Sequence, residues 1–386
     1  MLIAGEVSGD ALGGRLMAAL RERWDGDVRF TGVGGEQMAA EGLLSLFPMS
    51  ELSVMGLAEV LPRLPGLLRR IVEVASFARE AQPDVLVTID APSFGLRVAR
   101  RLGGAGIPLV HYVAPQLWAW RPSRARRIAR TVDRLLALLP FEPEFFARYG
   151  VPCSFVGHPV VELPYETPED GVAFREEFGI PADAETLLVL PGSRQSETAR
   201  LLPVFGGTIK RLAVARPELQ VIVATLPSVE DDVRAAVASW PLPVHLVTRR
   251  QHRFGAFATA DVALAASGTV SLELALARVP TVIAYRTGRL TAAVVRRLIR
   301  VSHIALPNIL AGRTVMPEFV QENCTPETLS DALGALLKDA GAREAQRAAL
   351  AEIGRQLGAD GPAPSLRAAD AVLEVVERSR SSQLRV

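Results

Sequence analysis

The stretch VLVTIDAPSFGL, residues 85–96, decides the fold class. Apolar and β-branched residues run directly into Asp90, and a helical pattern begins after Pro92. A short apolar run that ends in a turn and a helix is typical of a strand buried in a parallel sheet. The last residue of such a strand lies at the edge where α/β proteins bind ligands, so Asp90 is a candidate general base. The alternative for Asp90 is the N-cap of the next helix.

The same alternation of strand and helix extends along the chain in two series. The first has helical patterns at residues 10–23, 54–81 and 94–102, between strand-like runs at residues 2–5, 28–32, 84–90, 107–113, 134–139 and 153–156. The second has strand-like runs at residues 186–190, 219–225, 244–248, 261–265 and 281–285. Strands that alternate with helices form parallel sheets covered on both faces. We therefore predict an α/β protein with two doubly wound, Rossmann-like domains that face a cleft.

Prolines mark the boundaries of these predicted segments. A proline-interrupted stretch at residues 158–179 separates the two series, which predicts a first domain at residues 1–162 and a second at 163–361. Residues 362–386 are expected to form a terminal helix and tail, frayed from residue 378. Pro62, Pro65 and Gly66 predict a break inside the helical pattern at 54–81.

The composition is that of a globular protein, with 49 % hydrophobic and 22 % charged residues and a formal net charge of +1. These values exclude a disordered chain and argue against a bulk nucleic-acid binder. The 2 cysteines, Cys153 and Cys324, cannot build a disulfide framework, which favours a reducing, cytoplasmic location. No apolar run approaches the roughly 18 residues of a spanning helix, and the first residues lack the pattern of a signal peptide.

Three loops that follow predicted strands carry glycine, serine and charged side chains. Their sequences are GEVSGD at residues 5–10, GSRQSE at 192–197 and SGTVSLE at 267–273. Glycine permits a tight turn, and the free N–H groups of the following helix bind anions. Glu273 is a candidate for both hydroxyls of a ribose, and the phosphate-binding candidates of the second half are Gly192, Ser193, Arg194, Ser267, Gly268 and Thr269. A capped turn without a ligand is the alternative at each loop.

The segment HYVAPQLWAW, residues 111–120, combines a histidine, a glutamine and two tryptophans in one connection. Aromatic faces stack on sugars or line acyl chains, so Trp118 is a ligand candidate, with packing into a domain core as the alternative. His111 is a second candidate base and is otherwise a structural histidine. Farther along, Asn308 and Gln321 carry amides that can bind sugar hydroxyls, although their pattern alone favours an ordinary polar loop.

Two features indicate contact with a membrane surface, although the first of them, a cluster of arginines, is equally compatible with a phosphate-bearing ligand. Between Arg97 and Arg134 there are nine arginines and a single acid, Asp133. Apolar residues interrupted by Arg63, Arg69 and Arg70 are typical of an interfacial patch, and a core helix with an arginine edge is the alternative. The residues of this patch are Val54, Met55, Leu57, Leu61, Leu64, Leu67 and Leu68. No cluster with metal-ligand spacing is present in the sequence, so we predict no metal.

These motifs together resemble the lipid A disaccharide synthase family. The resemblance is collinear from Leu2 to about Leu329. It rests on GEVSGD at 5–10, SVMGLAEVL at 53–61, IDAP at 89–92, VAPQLWAW at 113–120, FEPE at 141–144, VGHP at 156–159, LPGSR at 190–194, SGT at 267–269 with Glu273, and LPN at 306–308. Members of that family are membrane-associated glycosyltransferases of the GT-B fold in Gram-negative bacteria.

The resemblance implies a reaction and assigns roles to residues. UDP-2,3-diacylglucosamine and 2,3-diacylglucosamine 1-phosphate would give a β-1,6-linked disaccharide and UDP, with inversion and without metal or cofactor. Asp90 would take the proton of the acceptor 6-hydroxyl, with His111 as the second choice. Arg194 would lie near the diphosphate, and Asn308 and Gln321 near the sugar. The acceptor-side residues would be Glu6, Ser8, Gly9, Asp10, Gln116 and Trp118.

Location and assembly follow from the same resemblance. The protein would lie peripherally on the inner face of the inner membrane, on an anionic surface and with no nucleic-acid partner. The terminal helices would return to the first domain. The sequence does not decide whether the protein is a homodimer or whether the tail exchanges between subunits.

Other functions compete with this one. Another GT-B enzyme, such as a UDP-N-acetylglucosamine 2-epimerase or an undecaprenyl-linked GlcNAc transferase, would share the UDP half, but the epimerase would lack the apolar patch. A two-lobed sugar-binding protein would bind without releasing UDP. The neutral net charge makes a nucleic-acid binder the weakest alternative.

Overall fold

The computed structural model describes residues 1–52, 57–120, 122–165, 168–288 and 302–383. The chain forms two compact units. The first consists of Met1–Glu162 together with the residues from Leu357 onward, and the second of Leu163–Gln356. The C-terminal segment thus re-enters the first unit at Leu357, where His158 N donates to Leu357 O over 3.0 Å. The sequence places that boundary slightly later, at Pro362.

The elements follow one another in α/β alternation. The strands are β1 (Leu2–Ala4), β2 (Thr31–Val33), β3 (Leu44–Ser45), β4 (Leu86–Ile89), β5 (Leu109–Tyr112), β6 (Arg134–Ala137), β7 (Cys153–Phe155), β8 (Thr186–Leu190), β9 (Gln220–Ala224), β10 (Val244–Val247), β11 (Val262–Ala266), β12 (Thr281–Tyr285) and β13 (Glu318–Val320). The helices are α1 (Val7–Arg23), α2 (Glu36–Ala40), α3 (Leu57–Ala81), α4 (Pro92–Arg101), α5 (Leu117–Trp120), α6 (Ala125–Ile128), α7 (Glu142–Ala147), α8 (Pro168–Phe178), α9 (Gln195–Ala215), α10 (Glu230–Val237), α11 (Arg253–Thr259), α12 (Val270–Leu276), α13 (Leu306–Ala311), α14 (Pro326–Lys338), α15 (Ala340–Gln356) and α16 (Pro364–Gln383).

The first unit contains a parallel sheet in the order β3-β2-β1-β4-β5-β6-β7. Successive residues of a strand face opposite sides. Leu2 and Ala4 accordingly join a core beneath α1 and α16, whereas Ile3 joins a core beneath α3 and α4. The strand order reverses between β1 and β4, where Ala4 pairs with Ile89. Such a reversal places a ligand crevice at the carboxyl ends of these two strands.

The second unit repeats this plan with a parallel sheet in the order β10-β9-β8-β11-β12-β13. Its order reverses between β8 and β11, where Leu190 pairs with Ala265. An apolar cluster that includes Phe205 and Trp240 packs one face of this sheet against α9, α10 and α14. The predicted fold class, two doubly wound parallel-sheet domains, is confirmed.

Two predictions about helices are wrong. The helix α3 runs from Leu57 to Ala81 without the predicted break. Each proline removes one amide donor, but the φ of its ring is compatible with a helix. Farther along α3, fully buried side chains, among them Ile71 and Val74, hold it against the sheet. The helix α16 continues to Gln383 instead of fraying from residue 378, because Arg380 pairs with Asp84 over 2.7 Å.

Candidate active site

Glycines bring the amino end of α1 against the carboxyl end of β4. A Cβ on Gly5 would lie 2.7 Å from Ala91 Cβ, and a Cβ on Gly9 would lie 3.3 Å from Ile89 O. A larger residue at Gly5 would therefore push the two elements apart. The predicted loop at residues 5–10 thus meets the end of β4 at the point where the strand order reverses.

The backbone at the end of β4 is strained around Asp90. Asp90 has a φ of 49° and Ala91 a φ of 40°, and after the neighbouring strand β5 Val113 has a φ of 77°. Non-glycine residues in this region cost about 1–3 kcal/mol each and cluster at functional sites. Asp90 N donates to Tyr112 O over 2.9 Å, which ties the strained turn to β5.

The half-buried Asp90 carboxylate has two close partners. Its Oδ1 accepts from Ala91 N over 2.9 Å, and its Oδ2 accepts from Ser8 Oγ over 3.1 Å. The α4 N-cap is Ala91, which makes no side-chain capping bond, so Asp90 does not act as a conventional cap. This geometry leaves the carboxylate oriented, partly exposed and capable of accepting a proton from a ligand hydroxyl.

Asp10, which the sequence predicts to lie on the acceptor side, directs its carboxylate toward α2. Its carboxylate is buried and accepts from Gly35 N over 2.7 Å, from Gln37 N over 2.9 Å and from Met38 N over 3.1 Å. These amides belong to the first turn of α2. Asp10 therefore caps a neighbouring helix across the fold, which its position in the GEVSGD loop does not reveal.

His111 is also placed differently from its prediction as a second catalytic base. It lies inside β5, fully buried, with Nδ1 2.7 Å from Thr88 Oγ1 on β4. Burial lowers the pKa of His111 to about 4, which keeps the ring neutral. Its Nε2 has no partner among the described residues. The burial of His111 within β5 favours Asp90, partly exposed at the end of β4, as the candidate base.

The other predicted acceptor-side residues differ in how exposed their side chains are. Glu6 at the start of α1 is exposed, and so is Gln116. Trp118 is half-buried, and its Nε1 donates to Glu142 Oε1 over 3.1 Å. Glu142 is a residue for which the sequence predicts no role, although it belongs to the FEPE stretch.

In the second unit, the loop after β8 forms a compact turn around Glu197. Gly192 has a φ of 109°, Ser193 N donates to Glu197 Oε2 over 3.3 Å, and Arg194 Nη1 lies 3.0 Å from Glu197 Oε1. The Arg194 side chain is largely exposed. An exposed guanidinium and the start of the long helix α9 offer an anion both charge and N–H donors.

The loop after β11 lies on the adjacent strand of the same sheet. Ser267 Oγ donates to Ile304 O over 3.3 Å, and Thr269 is the N-cap residue of α12. Glu273 is nearly buried, and its Oε2 lies 2.6 Å from Arg253 Nη2. Arg253, on α11, is a partner of this candidate that the sequence does not indicate, because no spacing connects it with Glu273. Together the two loops surround the strand-order reversal of this unit.

Asn308, which the sequence predicts to bind a sugar, lies on α13 with its side chain directed toward the chain before β13. It is fully buried, and its Nδ2 donates to Met316 O over 2.7 Å and to Glu318 Oε1 over 2.6 Å. Its Oδ1 accepts from Val315 N and Met316 N. The amide therefore pins the loop before β13 and retains no donor for a ligand.

Gln321 follows β13 with a φ of 54°. In its hydrogen-bonded orientation the side-chain amide pairs with the backbone of Thr287, with its oxygen 3.1 Å from Thr287 N and its nitrogen 3.2 Å from Thr287 O. The side chain is half-buried and lies at the carboxyl edge of the second sheet.

The predicted apolar patch is only partly described. Val54 and Met55 lie outside the described residues, as do the side chains of Leu57 and Leu61. Along α3, Leu64 and Leu67 are half-buried and Leu68 is exposed at 41 %. Among the helices in the described ranges, none combines the length and apolarity needed to cross a bilayer. Within the same ranges, no group of three or more His, Cys, Asp or Glu side chains is arranged to hold a metal.

Solved structures share this architecture. The UDP-GlcNAc 2-epimerase from Neisseria meningitidis bound to UDP-GlcNAc superposes with a TM-score of 0.60 at 13 % identity, over 98 % of this chain and 99 % of that one. The calicheamicin glycosyltransferase CalG4 superposes with a TM-score of 0.57 at 20 % identity, over 98 % and 97 %. At these identities the likeness shows the GT-B fold alone.

Sequence relatives define the family. A lipid-A-disaccharide synthase from Rhodospirillum centenum is 53 % identical over 98 % of this chain and 94 % of its own length. Another from Paramagnetospirillum magneticum is 49 % identical over 99 % and 98 %. The profile of the lipid-A-disaccharide synthetase family matches residues 1–359. From these matches and the shared fold, the chain belongs to the lipid-A-disaccharide synthetase family and is a GT-B glycosyltransferase of lipid A biosynthesis.

Proposed function

We propose that the enzyme joins UDP-2,3-diacylglucosamine to 2,3-diacylglucosamine 1-phosphate and inverts the anomeric carbon in one displacement. The acceptor 6-hydroxyl oxygen forms the bond to the anomeric carbon while the bond to the UDP oxygen breaks. The hydroxyl proton passes to Asp90, and the bonding electron pair leaves with UDP. The observation that carries this proposal is the oriented, partly exposed Asp90 carboxylate, held by Ser8 at the strand-order reversal of the first unit.

The second unit is proposed to hold the donor. Arg194 and the amides at the start of α9 would neutralise the charge that develops on the leaving diphosphate. Ser267, Gly268 and Thr269 would contact the phosphates from the adjacent strand. Glu273, aligned by Arg253, would accept the hydroxyls of the ribose. Charge neutralisation by arginine and helix amides performs the task that a divalent cation performs elsewhere, so we expect the reaction to proceed without metal.

The first unit is proposed to contact the cytoplasmic surface of the inner membrane. Exposed arginines on α4 and on residues 122–130 have no acidic partner among the described residues; they are Arg97, Arg100, Arg124, Arg126, Arg127 and Arg130. Arg124 lies over the ring of the exposed Trp120, 5.9 Å from its centroid. On α3, Leu68 and Val72 are exposed apolar side chains. Basic and apolar side chains together favour an anionic bilayer surface.

The reaction is tested by UDP release in detergent micelles. Purified enzyme receives both acylated substrates, each alone, and soluble UDP-GlcNAc, with and without EDTA. We expect UDP only when both acylated substrates are present, no effect of EDTA, and a β-configured product by NMR. UDP release that needs no acylated acceptor, or 2-epimerisation of UDP-GlcNAc, would contradict the proposal.

Membrane contact is tested separately with vesicles. We expect the protein to sediment with vesicles that contain anionic phospholipid and not with neutral ones. The double variant Arg124→Gln/Arg127→Gln should sediment less, whereas the exposed pair Arg234→Gln/Arg355→Gln in the second unit should bind like wild type. Equal binding to neutral vesicles would exclude an electrostatic contact.

A further inference from the structure

We propose that Glu142 is a positioning residue that fixes the aromatic loop of residues 114–120 at the acceptor side of the active site. This inference rests on the proposed function. It concerns a residue that touches no reacting atom and acts through Trp118.

Glu142 binds two loops that leave neighbouring strands. Its Oε1 accepts from Trp118 Nε1 over 3.1 Å, and Trp118 belongs to the loop after β5. Its Oε2 accepts from Leu138 N over 3.1 Å and from Leu139 N over 3.0 Å, in the loop after β6. The Phe141 ring meets the Trp118 ring edge to face, with centroids 5.0 Å apart. One carboxylate therefore fixes both loops.

The environment of Glu142 is unusual for a carboxylate. The residue is 1 % exposed, and among the described residues no basic side chain lies within ion-pair distance of it. A buried carboxylate without a cation partner is costly, and neutral N–H donors offset that cost only in part. A carboxylate that served only as an acceptor for the loop after β6 could lie at the surface. The contact with the indole of Trp118 explains why Glu142 is buried.

A backbone path connects this contact with Asp90. The loop held by Glu142 begins at Val113, whose φ is 77° and whose N donates to Leu136 O over 3.1 Å. The preceding residue, Tyr112, accepts from Asp90 N through its carbonyl. Displacement of Trp118 would thus move the exposed Gln116 and alter the loop that starts beside the candidate base.

The contact depends on the charge of Glu142. Burial raises the pKa of Glu142 to about 7. Once protonated, the carboxyl group loses its negative charge and carries an O–H on one oxygen, which leaves a weaker acceptor for the three N–H donors and weakens the contact with Trp118. Burial raises the pKa of the Cys153 thiol on the neighbouring strand β7 to about 12, and Glu144 on α7 pairs with Arg148 at the surface. The loop should therefore loosen as the pH falls through 7.

The kinetic test uses Glu142→Gln, which resembles the protonated carboxyl group, and Trp118→Phe, which removes the indole N–H. At pH 8 we expect about a tenfold rise in KM for the acceptor in each variant, with the KM for the donor unchanged. The KM for the acceptor should rise no further in the double variant than in either single variant, because both substitutions remove the same contact. As the pH rises from 6 to 8, the KM of wild type for the acceptor should fall, whereas the KM of Glu142→Gln should not change. The matched control is Glu144→Gln on the same helix.

A spectroscopic test does not depend on turnover. The tryptophan fluorescence of wild type should change with a midpoint near pH 7, and this change should be absent in Glu142→Gln and in Trp118→Phe. Circular dichroism shows whether each variant is folded. Folded variants with a wild-type acceptor KM and the same pH-dependent fluorescence would overturn the inference, as would equal rises in both KM values. If wild type fails to use the acylated acceptor but the fluorescence change follows Glu142, the proposed function fails and the contact stands.

Discussion

Ser8 Oγ donates to Asp90 Oδ2 over 3.1 Å, although 82 residues separate them in sequence. The contact joins the first turn of α1 to the end of β4, across the reversal of strand order. Since Asp90 Oδ1 is held by Ala91 N, both carboxylate oxygens have a fixed direction. A base fixed in this way loses little orientational freedom when it accepts a proton.

The first prediction concerns this pair. Asp90→Asn keeps the shape but cannot accept the proton, so turnover should fall about 10²–10⁴-fold. Ser8→Ala frees one oxygen and should lower turnover about tenfold. UDP affinity, measured by calorimetry, should be unchanged in both variants because its proposed site is in the second unit. The control is Asp84→Asn, near the opposite end of the same strand, which should retain turnover. An active Asp90→Asn would remove Asp90 as the base.

The second prediction concerns Gly192. Its φ of 109° disfavours any side chain, and a Cβ there would lie 2.9 Å from Glu197 Oε2. Gly192→Ala should distort the turn that carries Ser193 and Arg194 and weaken UDP binding about tenfold. Gly334→Ala in α14, where a Cβ meets open space, is the control and should bind UDP normally. Unchanged UDP affinity in Gly192→Ala would place the diphosphate elsewhere.

The third prediction separates structure from chemistry at Asp10. Asp10→Ala leaves three amides of α2 without their acceptor and should lower the free energy of unfolding by about 3 kcal/mol. Turnover per folded molecule should stay within about twofold, since the carboxylate faces α2. Urea unfolding and active-site titration measure the two quantities. The exposed Asp25→Ala should change stability by less than about 0.5 kcal/mol. A stable but inactive Asp10→Ala would restore a role in acceptor binding.

The fourth prediction uses the buried His111. Its pKa is lowered by burial to about 4, whereas an unfolded histidine titrates near 6.5. As the pH falls from about 6.5 to 4, His111 becomes protonated in the unfolded chain but stays neutral in the folded protein. The free energy of unfolding therefore decreases progressively in this range. The stability difference between wild type and His111→Gln should therefore change by about 1.4 kcal/mol per pH unit in that window.

A difference between proteins is needed because other groups titrate as well. Burial also lowers the pKa of His158 to about 4, while Glu142 shifts in the opposite direction. The contributions of His158 and Glu142 to the free energy of unfolding are the same in wild type and in His111→Gln, so they cancel in the difference. A pH-independent difference would show that His111 titrates normally.

The fold was predictable because its signals are local. Strands such as Thr186–Leu190 and Thr281–Tyr285 begin and end where the apolar runs do. The strands β3 and β13 were missed because Leu44–Ser45 has only two residues and Glu318–Val320 begins with an acid instead of an apolar run. The course of α3 through Pro62 and Pro65 was missed for a different reason: buried contacts of its later turns outweigh the local preference.

Within the candidate site, the sequence identified loops better than side-chain directions. Residues 5–10, Asp90 and Gly192 lie at the strand ends where the pattern predicts them. Asp10 and Asn308 have the right chemistry and position for ligands, yet their partners are backbone amides that only the tertiary structure brings near. Glu142 and Arg253 were not recognised, because a single sequence shows neither the burial of a charged residue nor the distant partner that it contacts.

The helix α16 has a consequence for biosynthesis. Its residues Ala368, Val372 and Val375 complete the core against α1, so the first unit is built from both ends of the chain. On the ribosome the first sheet emerges early. The apolar face that it shares with α1 stays uncovered until α16, about 200 residues after the end of β7, has been synthesised. The second unit is continuous in sequence and can finish folding before that helix leaves the exit tunnel. A nascent chain halted before residue 364 would therefore expose the face of α1 to chaperones.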